Sequence, residues 1–131
     1  MPVELRIAAF GAVLLFIHIF AAIRAKTAQY GRAWNTSARD EALPPPSPMV
    51  GRLTRAQANF AENFPIAMVA LIGVVVAGRT SEWTAIGGWI WLGARLVYLP
   101  LYAMGVPKWR TLIYLVSMIG IAMALWPLLV P

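Results

Sequence analysis

Arg55-Ala-Gln-Ala-Asn59-Phe-Ala-Glu62-Asn-Phe-Pro65 stands at the head of a long apolar stretch, residues 55–77. A helix of this length extends about 35 Å, which is enough to cross the hydrocarbon core of a bilayer. Helical residues advance by about 100° each, so Arg55, Asn59 and Glu62 lie within roughly 60° on one face. A carboxylate in hydrocarbon is costly unless it is paired or faces a cavity. Glu62 therefore predicts a partner and a protected site within the membrane.

The composition indicates an integral membrane protein. The chain has 131 residues, of which 60% are hydrophobic and only 12% are charged, and this is too apolar for an ordinary water-soluble domain. It has no cysteine and a single histidine, His18, so disulfides and thiolate metal sites are excluded and we expect no metal centre. The net charge of +6 would suggest nucleic acid in a soluble protein. Here the basic residues flank apolar stretches, so membrane topology explains them better and we expect no nucleic-acid partner.

Four apolar stretches predict an all-α fold, an integral membrane four-helix bundle. Each stretch is long enough to cross the bilayer, and none alternates polar and apolar residues as a membrane strand would. We expect a single membrane domain over residues 1–131. Prolines in the segment Ala42-Leu-Pro-Pro-Pro-Ser-Pro48 exclude a continuous helix in the first loop. The predicted helices cover approximately residues 5–24, 55–77, 84–104 and 110–129, and the first loop covers approximately 25–54.

The distribution of basic residues predicts the orientation of the bundle. The first and third loops, counted with the adjoining helix ends, hold eight of the eleven basic residues. The positive-inside rule then places these loops in the cytoplasm and both termini outside. Two pairs of small residues four apart, Gly73 with Ala77 and Gly120 with Ala124, favour close helix packing.

The third predicted helix carries a second polar face, in Arg95-Leu-Val-Tyr98-Leu-Pro-Leu-Tyr102. Its polar residues recur at spacings of three and seven, which puts them on one side of a helix. Antiparallel packing would bring Glu62 and Arg95 to a similar depth, roughly 10 to 12 Å inward. We therefore predict that they pair, each neutralising the other's charge.

Two interpretations of the combined polar set remain open. The ion pair could simply lock two helices together, with the tyrosines as packing residues. Alternatively, the set binds a small anionic ligand with carboxylates and amides, because it offers more donors than one carboxylate can use. The set comprises Arg55, Asn59, Glu62, Arg95, Tyr98, Tyr102 and Arg110.

These two runs and the basic start of the fourth predicted helix resemble the MAPEG family, the membrane-associated proteins in eicosanoid and glutathione metabolism. The likeness covers nearly the whole chain, and Asp40-Glu41 before the prolines is similar to a bacterial branch of the family. The resemblance implies a homotrimer in the bacterial inner membrane that binds glutathione, its co-substrate, in clefts between subunits. It also implies a glutathione transferase or peroxidase that acts on a lipophilic electrophile arriving from the lipid bilayer.

The resemblance assigns roles to individual residues. Arg110 matches the arginine thought to activate the thiol, and a guanidinium beside sulfur favours the nucleophilic thiolate. The chain departs from the family pattern at Asn63, where several catalytic relatives have a tyrosine, and at Pro100, which interrupts the third predicted helix. The spacing from Tyr102 to Arg110 also differs by a residue from that of some members. The implied glutathione contacts are Arg55, Asn59, Glu62, Arg95, Tyr98 and Tyr102, with Gln57 and Arg24 at positions that match less closely.

Other functions fit parts of the sequence. A non-catalytic binding or structural protein could keep the same fold, and Arg110 could then be an interfacial arginine that reaches the headgroups. A small proton-coupled transporter would use Glu62, with His18 as a proton carrier rather than a residue that hydrogen-bonds between helices. The arginines around Glu62 argue against a site for cationic drugs.

Overall fold

The computed structural model describes all 131 residues and contains helices but no strand, which confirms the all-α class. Four helices are long and one is short. The short helix falls in the predicted first loop, so the structure has five helices and a bundle of only four is not confirmed. The helices are α1 (Val3–Tyr30), α2 (Arg32–Thr36), α3 (Pro48–Val76), α4 (Glu82–Ala103) and α5 (Pro107–Leu129).

Three helices, α1, α3 and α5, are long and apolar enough to cross a membrane. The helix α4 has 22 residues and is not among these three, and Arg95 lowers its hydropathy. Its span of about 33 Å at 1.5 Å per residue would still cross the hydrocarbon core. Four crossings therefore remain a prediction.

The first loop is shorter than predicted at both ends. The helix α1 continues to Tyr30, and α3 begins at Pro48 rather than near residue 55. Ser47 caps α3, because its side chain accepts a hydrogen bond from the backbone N–H of Val50. Pro48 fits the first helical position, where its missing N–H costs nothing. The last proline of the run thus starts a helix, whereas the others keep the loop extended.

Both ends of the bundle are held by polar contacts between helices. At the arginine end, where α3 begins and α4 ends, Arg52 donates from Nη1 to the Ala103 carbonyl at 3.3 Å. At the opposite end, the hydroxyl of Thr84 contacts Oε1 of the buried Glu4 at 2.5 Å. Arg79, in the turn after α3, donates to the carbonyl oxygens of Pro127 and of Val130, the residue that follows α5. These contacts join α3 to α4 at the arginine end, and join α1 to α4 and the turn after α3 to the end of α5 at the opposite end.

The segment before α3 is tied to the end of α1. Gln29 donates to the carbonyl of Pro45 at 3.0 Å and accepts from the backbone N–H of Ser47 at 2.8 Å. The hydroxyl of Tyr30 donates to the carbonyl of Pro44 at 2.9 Å. This Gln29 clamp, residues 29–30 with 44–47, sets where α3 starts.

Small residues allow α4 and α5 to pack closely, as the pair Gly120 and Ala124 predicted. Both are buried, and Gly120 lies directly against the backbone of α4 at Gly87. The second predicted pair behaves differently, since Gly73 faces Leu128 while Ala77 is exposed. The apolar core between the helices includes Ile7, Leu14, Phe60, Leu71, Trp91 and Ile121.

Candidate functional site

An open cavity of about 310 Å³ lies at the arginine end of the bundle. The first turns of α3, the last turn of α4 and the start of α5 form its walls. We call it the outer cavity. Its lining contains three arginines and no carboxylate, so its charge favours an anion. The lining residues are Arg52, Arg55, Tyr102, Gly105, Val106, Pro107 and Arg110.

Two of these arginines hold Tyr102 between them. The Nε atom of Arg55 donates to the Tyr102 hydroxyl at 3.1 Å. The guanidinium carbon of Arg110 lies 4.7 Å from the centre of the Tyr102 ring, within cation–π range. Tyr102 therefore positions two guanidinium groups at the edge of the outer cavity.

A second, smaller cavity of about 140 Å³ is lined by residues of α3, α4 and α5. We call it the inner cavity. Arg110 lines both cavities, so one guanidinium borders the two spaces. The inner cavity is lined by Asn59, Tyr98, Arg110, Thr111 and Tyr114.

Arg95 lies behind the inner cavity rather than in it. Its side chain is fully buried, with 0% of its surface exposed. Its Nη1 donates to Oδ1 of Asn59 at 2.8 Å. The guanidinium carbon lies 4.3 Å from the centre of the Tyr98 ring and 5.0 Å from that of Phe60. Aromatic faces and one amide oxygen thus surround a cation that no carboxylate neutralises.

The predicted ion pair between Glu62 and Arg95 is wrong for a single chain. Glu62 is exposed on the outer face of α3, and two other nitrogens of Arg95, Nε and Nη2, have no hydrogen-bond partner. The reason is the register between α3 and α4. The contacts of Arg55 with Tyr102 and of Asn59 with Arg95 place Glu62 opposite residues that precede Arg95 in α4.

The structure brings most, but not all, of the predicted site residues together. Tyr98 and Tyr102 pack edge to face with ring centres 5.5 Å apart, and α4 runs through Pro100 without interruption, contrary to prediction. Gln57 is half-buried and Arg24 is exposed, and neither lines the two cavities. The residues that meet around the cavities are Arg55, Asn59, Arg95, Tyr98, Tyr102 and Arg110.

Sequence reasoning missed Arg52, Thr111 and Tyr114, which also line the cavities. The predicted first loop includes Arg52, although Arg52 precedes Arg55 by three residues and so shares its helix face. Thr111 and Tyr114 follow Arg110 by one and four residues. Because residues four apart lie on the same face of a helix, the position of Tyr114 relative to Arg110 could have indicated that Tyr114 lines the site.

His18 does not make the hydrogen bond between helices that was one of its predicted roles. It is 1% exposed, and neither ring nitrogen has a hydrogen-bond partner within the chain. Its ring stacks on Phe60, with centres 4.8 Å apart and planes inclined by 11°. His18 packs in the core behind the site.

Comparison with known proteins identifies a family. No match is found among curated proteins. The model of the MAPEG family matches residues 7–130, nearly the whole chain. That range contains all four long helices almost completely and both cavities, and α1, α3 and α5 are apolar enough to span a bilayer. The chain therefore belongs to the MAPEG family and is an integral membrane protein of the type that serves glutathione and eicosanoid metabolism.

Proposed function

We propose that this protein binds glutathione in the two cavities and uses it as co-substrate, as a transferase or peroxidase acting on a lipophilic electrophile. One observation carries the proposal: the guanidinium of Arg110 borders both an arginine-lined outer cavity and a smaller inner cavity. Glutathione has carboxylates at its ends and a thiol in its middle. A molecule of that kind needs a cationic surface and a separate polar pocket beside it.

The outer cavity suits the carboxylates. Arginine binds carboxylates through paired, charge-assisted hydrogen bonds. Arg52 already donates one hydrogen bond, to Ala103, and Arg55 donates one, to Tyr102. Each guanidinium has five N–H donors, so both keep donors for a ligand. Family membership supports glutathione as the carboxylate-bearing ligand.

The inner cavity suits the sulfur. A free thiol has a pKa near about 8.5 and is mostly protonated at neutral pH, whereas the thiolate is the nucleophile. A cation beside the sulfur lowers the thiol pKa, because it stabilises the anion. We assign this role to Arg110. The thiolate would then attack an electrophile that reaches the site from the surrounding lipid.

We further propose that the site is completed by neighbouring copies in a homotrimer. Glu62 lies well inside α3, yet it is exposed and makes no ion pair with Arg95. A carboxylate left facing lipid is unfavourable, and a second copy packed on this face would cover it. The concentration of basic residues at the arginine end supports a cytoplasmic location for the cavities, with both termini outside.

Arg55→Ala is expected to weaken glutathione binding about 10- to 100-fold, because a charge-assisted hydrogen bond contributes about 1.5–3 kcal/mol. Isothermal titration of the purified protein in detergent measures the change. Arg6→Ala is the matched control, since it removes an exposed arginine at the opposite end of the bundle and should leave affinity unchanged. Equal affinity of Arg55→Ala and the wild type would contradict the assignment of the outer cavity.

Glu62→Gln is expected to reduce either the fraction of assembled protein or the affinity for glutathione, since it removes a charge that we place at the contact between copies. Chemical cross-linking and light scattering measure assembly, and the same titration measures affinity. Glu41→Gln changes an exposed loop carboxylate and serves as the control. If Glu62→Gln leaves both assembly and affinity intact, the cleft between copies is not where the ligand binds.

A further inference from the structure

We propose that Arg95 is a positioning residue: it fixes the orientation of the Asn59 amide, so that the amide N–H groups face the inner cavity and donate to an acceptor atom of the ligand. This rests on the proposed function and refines it. The family resemblance implies that Arg95 contacts the ligand directly. Its complete burial behind the inner cavity excludes that role in this conformation.

The chemistry of the contact determines the orientation of the amide. Arginine has only donors, so the Asn59 atom that faces Arg95 at 2.8 Å must be the oxygen, Oδ1. The amide nitrogen, Nδ2, consequently points away from Arg95 and makes no hydrogen bond within the chain. Asn59 lines the inner cavity, so its two N–H groups are available there.

The packing around Arg95 makes this orientation stable. The guanidinium lies against the rings of Tyr98 and Phe60, and His18 stacks on the same phenyl ring. Arg95 therefore has little freedom to turn toward the cavity. If the amide rotated by 180°, its N–H groups would face the guanidinium and both polar groups would lose their bond.

Asn59 and Arg110 consequently favour an acceptor atom of the ligand between them. Asn59 Nδ2 and the Arg110 guanidinium can only donate, and they meet in a space of about 140 Å³. A thiolate or a carboxylate satisfies both groups, whereas an ammonium or an amide N–H satisfies neither. The inference thus assigns an acceptor of the ligand, its thiolate or a carboxylate, to the position between Asn59 and Arg110.

Asn59→Asp tests the inference, because the substitution separates stability from binding. A carboxylate at this position would pair with the buried Arg95, so the Tm should equal or exceed that of the wild type. The same carboxylate would replace the donor that faces the ligand with a negative charge. Glutathione affinity should therefore fall at least about tenfold. Asn59→Ala, which removes the donor without adding charge, should lose less affinity and should lower the Tm.

Substitutions of Arg95 provide the second test. Arg95→Met replaces a buried cation by an apolar chain of similar length, which proteins often tolerate. It should fold and yet bind glutathione several-fold more weakly, because the amide is then free to rotate. Arg95→Lys keeps a donor for Oδ1 and should restore most of the affinity. If Arg95 only filled space, Arg95→Met and Arg95→Lys would bind glutathione with the same affinity.

The outcomes separate this inference from the proposed function. If the wild type does not bind glutathione, the proposed function fails, but the Tm of Asn59→Asp still tests the contact with Arg95. A lowered Tm for Asn59→Asp would refute that contact. Normal affinity of Asn59→Asp, in a wild type that does bind, would refute the donor role of the amide.

Discussion

Arg110→Ala is expected to reduce conjugation of a generic electrophile about 10- to 100-fold while glutathione binding changes little. The expected factor comes from the pKa of the glutathione thiol. A guanidinium beside the sulfur lowers this pKa by about one or two units, which raises the thiolate fraction about 10- to 100-fold. Binding should persist because Arg52 and Arg55 remain in the outer cavity. Thiolate absorbance during a glutathione titration measures activation, and a colorimetric conjugation assay measures turnover.

Arg110→Lys is the companion variant. An ammonium keeps the charge but has no planar fork, so it should retain part of the thiolate signal. Equal loss of binding and turnover in Arg110→Ala would refute the division of roles between the two cavities. Unchanged thiolate absorbance in Arg110→Ala would instead show that Arg110 is an interfacial arginine that contacts lipid headgroups.

Gly120→Ala is expected to destabilise the bundle strongly. A Cβ at this position would lie 2.5 Å from the backbone nitrogen of Trp91 and 2.6 Å from the carbonyl oxygen of Gly87. Backbone atoms cannot turn aside as a side chain can, so α4 and α5 must separate. Overpacking of this kind costs about 1–3 kcal/mol, and the Tm measured by circular dichroism in detergent should fall by several degrees.

Gly93→Ala is a close control, because it makes the same chemical change within α4. No atom lies within 4 Å of a Cβ at Gly93, and alanine is favoured over glycine inside a helix by roughly 0.5–1 kcal/mol. Its Tm should stay the same or rise. If both variants behave alike, the effect comes from helix propensity and not from contact between α4 and α5.

The amino-acid sequence predicts the long helices well, because a bilayer requires apolar stretches of a certain length. It does not predict α2, since five residues are too few for a periodic pattern to be recognised. Helix ends are also set by local caps, and the cap formed by Ser47 and Pro48 lies inside the predicted first loop. That error hid Arg52, which lies in the second turn of α3.

The sequence predicts which residues share one face of a helix, but it does not predict which residues of another helix they contact. A spacing of 100° per residue correctly placed Arg55 with Asn59, and Tyr98 with Tyr102. Pairing across helices depends on register, which shifts with the helix start and the packing of small residues. Glu62 was therefore paired with Arg95, although Asn59, one turn earlier in α3, occupies that position.

The Gln29 clamp has a consequence for how this chain can vary in length. The clamp holds residues 44–47 against the end of α1. A change in the exposed residues 38–43, which precede the clamp, therefore does not alter the position of α3. Extra residues inserted there would form a larger surface loop and leave the three arginines of the outer cavity in place. One residue added between the clamp and Pro48 would instead separate Ser47 from the helix that it caps, and so disturb the first turns of α3, which carry Arg52 and Arg55.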